Sequence, residues 1–79
     1  MSIHVLFEGV PGVIVRSDGV VIEGVELDDV VHAATRAAES AERIELCGGM
    51  PLEVAAQVRK AVSADIDVRV NRYGFESLE

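Results

Sequence analysis

Seventy-nine residues leave room for one small domain spanning 1–79 and exclude a two-domain enzyme. With 7 Lys and Arg against 14 Asp and Glu the formal charge is -7, which repels phosphate backbones and acidic bilayers, so neither a nucleic acid nor a membrane is an expected partner. At 49% hydrophobic the chain is too apolar for disorder, yet a domain this small buries only about 60 to 65% of its unfolded surface, so a homo-oligomer is expected.

From Ile3 to Glu8 the residues alternate, with Ile3, Val5 and Phe7 to one side and His4, Leu6 and Glu8 to the other, which predicts a first strand. Gly9-Val10-Pro11-Gly12 is turn chemistry, and Val13 to Arg16 and Val20 to Val25 then flank Ser17-Asp18-Gly19 as a hairpin. At Leu27 the period becomes helical: Leu27, Val30, Val31, Ala34, Ala37, Ala38 and Ala41 share one stripe, with Asp28 as the expected N-cap. Arg43 to Cys47 returns to alternation and Gly48-Gly49 ends that strand. Pro51 suits the first position of a second helix, whose stripe is Val54, Ala55, Val58, Ala61 and Val62. Ile66, Val68 and Val70 finally alternate with Asp67, Arg69 and Asn71 in a last strand.

This order predicts an α/β two-layer sandwich, a mixed sheet of four to five strands with two helices on one face. Strand-helix-strand connections are right-handed and make parallel neighbours. Parallel strands covered on both faces are apolar on both. Glu45, Asp67, Arg69 and Asn71 break that rule on one side only. That side is expected to lack helices and to serve as solvent surface, subunit contact or floor of a site.

The chemistry gathers at Ile44-Glu45-Leu46-Cys47-Gly48-Gly49-Met50-Pro51, where a strand stops, two glycines permit close backbone approach, and a helix begins with unpaired N–H groups. Such groups attract an anion, and a parallel last strand brings Asn71, Arg72 and Tyr73 to the same edge, with Glu8 ending the first strand nearby. The candidate ligand-binding residues are therefore Glu8, Cys47, Gly48, Gly49, Met50, Asn71, Arg72 and Tyr73. The Lys and Ser or Thr of a phosphate loop are missing, and His4 and His32 lack metal-ligand spacing, so no cofactor and no metal is expected.

Cys47 is a lone cysteine without a histidine in evident reach, which suits a reducing compartment and an inert thiol rather than a nucleophile. Glu45 reads as a cross-strand ion-pair partner of Arg69, and His32 as a solvated residue. Met1-Ser2-Ile3-His4 lacks the basic stretch of a signal peptide and no apolar run approaches about 18 residues, so the cytoplasm is the expected location. Leu78-Glu79 reads as a cloning remnant.

Phe7-Glu8-Gly9, the alanine-rich stretch Ala33 to Ala41, and Ile44-Glu45-Leu46-Cys47-Gly48-Gly49 occur in the order seen in a family of short uncharacterised prokaryotic α/β proteins, which this chain resembles over most of its length. The stretch from Gly12 to Val25 is shorter than the family's. The resemblance implies a compact α/β fold and no particular activity. The expected function is binding of a small anionic molecule at the strand-end Gly-Gly loop. The alternative is a non-catalytic homo-oligomeric protein joined through its exposed sheet face or edge strand, which the valine-rich hairpin supports, since Val13-Ile14-Val15 and Val20-Val21-Ile22 are too apolar for a solvated edge.

Overall fold

A computed structural model describes residues 1–12, 14–47 and 49–71, with Asn71 described in its backbone alone. Five strands form one mixed sheet: β1 (Ile3–Glu8), β2 (Ile14–Ser17), β3 (Val20–Val25), β4 (Arg43–Cys47) and β5 (Asp67–Asn71). Their spatial order is β2-β3-β1-β4-β5. β1 runs parallel to both β3 and β4, β4 is parallel to β5, and only the edge strand β2 is antiparallel to its neighbour. Helices α1 (Val30–Ala37) and α2 (Leu52–Ala61) share one core with a single face of this sheet. The α/β sandwich expected from the sequence is the fold observed.

The hairpin is set by its turn. Asp18 (φ 49°) and Gly19 (φ 82°) are both left-handed, the backbone of a two-residue primed turn whose twist matches the flanking strands. The Gly19 carbonyl accepts the Ile3 amide at 2.9 Å, which ties the turn to the start of β1.

Two helix starts differ from the sequence reading. The predicted first helix opens as a 3-10 turn over Leu27–Asp29, in which the Asp29 amide donates to the Glu26 carbonyl at 2.9 Å. The α-helix proper begins at Val30 with Asp29 as its N-cap, and no side chain caps it, so Asp28 does not hold the position expected of it. Satisfying the first amides through backbone carbonyls leaves the two aspartates to act on the helix dipole alone. Ala41, expected on the helical stripe, lies past the end of α1 but is still buried, its amide bonded to the Ala37 carbonyl at 2.9 Å. Pro51 is the N-cap of α2 rather than its first helical residue: its backbone is extended (φ -60°, ψ 144°) and its carbonyl accepts from Val54 and Ala55.

Strand alternation divides the residues between two faces. Leu6, Ile44 and Leu46 are completely buried against Val30, Ala33, Ala34 and Ala37 of α1 and Val58 of α2. Alanines on the inner side of α1 let that helix lie close over β1. The opposite face carries Ile3, Val5 and Phe7 of β1, Val20 and Ile22 of β3, Arg43, Glu45 and Cys47 of β4, and Asp67 and Arg69 of β5. Among the described residues neither helix covers it.

Its polar half is a ladder of charge. Arg43 Nη1 lies 3.4 Å from Glu45 Oε2, Arg43 Nε 3.3 Å from Asp67 Oδ2, and Arg69 Nε 3.0 Å from the same oxygen. Glu45 and Arg69 are direct register partners, the Arg69 guanidinium pairs with Asp67, and Arg43 joins the strands by bridging Glu45 to Asp67. Behind the sheet, the Arg59 guanidinium donates to the carbonyls of Ser63 and Ile66 and so braces the turn between α2 and β5. No helix among the described residues is long and apolar enough to cross a membrane.

Candidate functional site

Because β1, β3, β4 and β5 are mutually parallel, their carboxyl ends meet at one edge of the sheet. The chain leaves that edge in opposite directions from the two central strands. After β1 it turns toward β3: the Gly9 amide donates to the Val25 carbonyl and the Gly12 amide to the Gly24 carbonyl, each at 3.2 Å. After β4 it turns the other way, through 49–51 into α2 and on to β5. Two neighbouring parallel strands whose exits diverge form a topological switch point, the place where open α/β sheets bind ligands.

The described candidate residues take definite positions at this edge. Glu8 ends β1, is exposed, and by alternation follows His4 and Leu6 onto the helix side. The N-terminus of α2 lies on that same side. Its N-cap Pro51 offers no side-chain bond, and the first intrahelical donors are Val54 and Ala55, so the Leu52 and Glu53 amides precede the helical ladder. Gly49 is exposed in the turn. Met50 contributes differently from expectation: its amide donates to the Cys47 carbonyl at 3.0 Å and its side chain is 4% exposed in the core.

Cys47 shares the edge but not the side. It follows Arg43 and Glu45 onto the open face, away from Glu8, and its thiol is half-buried. Asn71 is its register partner at the end of β5. Gly48, Arg72, Tyr73 and the Asn71 side chain lie outside the described residues. Among the described residues no cluster of three or more His, Cys, Asp or Glu is placed to hold a metal ion.

A second polar group was not anticipated. His4 Nε2 lies 2.8 Å from Glu23 Oε1, and Arg36 Nη2 of α1 lies 3.7 Å from Glu23 Oε2. Glu23 is only 8% exposed. A carboxylate accepts and cannot donate, so the His4 Nε2–H points at Glu23 and leaves Nδ1 as the free ring nitrogen. The signal was present in the alternation: Glu23 is the polar member of a row otherwise made of Val21 and Val25, and His4 shares its row with fully buried Leu6. Only the parallel β1–β3 register brings them together.

The pair is structural, which three variants check. His4→Leu leaves a buried carboxylate with one distant guanidinium and is expected to cost about 2 kcal/mol. Glu23→Gln keeps an acceptor and is expected to cost less than about 1 kcal/mol. The double replacement His4→Leu with Glu23→Leu removes both partners and is expected to recover most of the loss in urea denaturation.

A mainly parallel sheet with one helical layer and a switch point at its carboxyl edge defines a small open-sheet α/β domain. Residues 13–79 match the family of unknown function DUF6506, and the chain belongs to that family. Cys47, Gly48, Gly49, Met50, Asn71, Arg72 and Tyr73 fall within the matched residues, while Glu8 precedes them. No curated protein and no solved structure matches the chain.

Proposed function

We propose that the protein binds a small molecule in the crevice between the exits of β1 and β4, holding an anionic group at the N-terminus of α2. One observation carries this reading: the chain diverges there, toward β3 after Glu8 and toward α2 after Cys47, and the uncapped start of α2 lies on the same side of the sheet as Glu8. The amides of Leu52 and Glu53 supply donors, and exposed Gly49 lets a ligand approach the backbone. Arg72, directly after β5, is proposed to give its guanidinium to the same anion, with Asn71 and Tyr73 beside it. Glu8 and Glu53 oppose a bare anion, so the preferred ligand also carries a hydrogen-bond donor, a hydroxyl or an amine, for the Glu8 carboxylate.

The anionic half of the ligand is tested with inorganic phosphate, followed by amide NMR. A helix terminus contributes about 0.3 to 1 kcal/mol, and each hydrogen bond to a charged group about 1.5 to 3 kcal/mol before the cost of association. Half-saturation in the millimolar range follows, where about 4 kcal/mol corresponds to 1 mM. The largest shifts are expected at Gly49, Leu52 and Glu53, with little change at the Met50 amide, which is already bonded. Arg72→Ala is expected to weaken binding about tenfold. Shifts spread over the whole surface, or none between 49 and 53, would mean that the segment is a turn and nothing more.

A further inference from the structure

The helix-free face of the sheet is divided sharply. One half is apolar: Ile3, Val5 and Phe7 of β1, Val20 and Ile22 of β3, and Val15 of the edge strand β2 all point to this side. Val15 is 53% exposed and Ile22 38%. The other half is the ladder of Arg43, Glu45, Asp67 and Arg69, two cations and two anions already paired within the chain. An apolar patch across three strands, bordered by charge, is the pattern of an interaction surface.

We propose that this face is the interface of a homodimer, with the apolar halves of two copies packed against each other. Charge selects the occupant. The chain as a whole carries -7, so two copies repel over most of their surfaces. On this face the four charged strand residues sum to zero, because Arg43 and Arg69 offset Glu45 and Asp67. A partner of strong opposite charge finds no unbalanced field there, whereas a second copy presents the same neutral ladder and the same apolar rows. A two-fold axis across the strands sets each half on its own counterpart, as an isologous contact requires.

Size sets the strength. Five strands spaced about 4.8 Å and about five residues long at about 3.3 Å per residue give a face of about 24 by 17 Å. Two such faces project about 800 Å² in total, just under the lower limit of specific interfaces at about 1,000 Å², so a weak, concentration-dependent dimer follows.

Sedimentation equilibrium over a dilution series tests the proposal, using two substitutions in the same hairpin. Ile22→Lys places a charge on the proposed contact and is expected to raise the dissociation constant about 30-fold or more. Ile14→Lys changes a residue of similar exposure, 43%, on the other side of β2 and is expected to leave it unchanged. Val15→Lys, on the open face of the edge strand, repeats the first test should Ile22→Lys unfold, which far-UV circular dichroism reports. A wild-type mass of one chain at every concentration overturns the proposal. So does an assembly that Ile14→Lys weakens and both Ile22→Lys and Val15→Lys leave intact, since the contact would then lie on the helix side of the hairpin.

Discussion

Leu6→Ala is expected to cost about 3 to 5 kcal/mol, the upper range for emptying a core position that cannot collapse. Leu6 is fully buried at the centre of the sheet, between Glu23 of β3 and Leu46 of β4, and faces the core shared with α1. Strands hydrogen-bonded on both sides cannot close around the lost volume, and the alanines of α1 are too short to fill it. At about 0.05 to 0.15 kcal/mol per residue, a chain of 79 residues has about 4 to 12 kcal/mol of stability in all. The variant should therefore melt about 15 to 30 °C below the wild type in a calorimetric scan, if it folds at all. A loss under 1 kcal/mol would show that β1 is not the central strand of a packed sheet.

Gly24→Ala is expected to cost about 1 to 3 kcal/mol, and its damage should be local to the loop that follows β1. A Cβ on Gly24 falls 2.3 Å from the Val10 carbonyl oxygen and 3.0 Å from the Phe7 ring. The ring can turn aside, but the carbonyl belongs to the loop that leaves β1 and is held by the Gly12–Gly24 and Gly9–Val25 backbone bonds. Relieving the clash means moving that loop away from the end of β3 on the helix-free face, the side opposite Glu8 and the start of α2. Hydrogen exchange is the direct measure: protection of the Gly9 and Gly12 amides should fall while that of β4 and β5 persists. Unchanged protection at both glycines would mean that the loop does not pack against Gly24.

Much of the architecture was legible because it depends on local periodicity. Alternation from Ile3 to Glu8, Arg43 to Cys47 and Ile66 to Asn71 requires no partner to be recognised, and Asp18-Gly19 carries its own turn geometry. The one-sided polarity of Glu45, Asp67 and Arg69 announced a face without helices, because a second helical layer would have to bury those charges. The helix starts were less legible. Asp28 has the chemistry of a cap, but backbone carbonyls in the 3-10 turn meet the same need.

The candidate site shows the same boundary. The residue types at 47–51 mark an edge suited to an anion, and a strand end followed by a helix start is a local property that a sequence determines by itself. The side on which each group falls is not local. Glu8 and Cys47 point to opposite faces, the Met50 amide is spent within its own turn, and the β1 loop leans over Gly24 because β3, not β2, lies beside β1. His4 and Glu23, 19 positions apart, meet only through that parallel pairing. Strand order and register are settled by competition among all possible pairings for one shared core, a property of the whole chain, so the tertiary structure alone decided which residues lie on the helix side of the sheet and which on its open face.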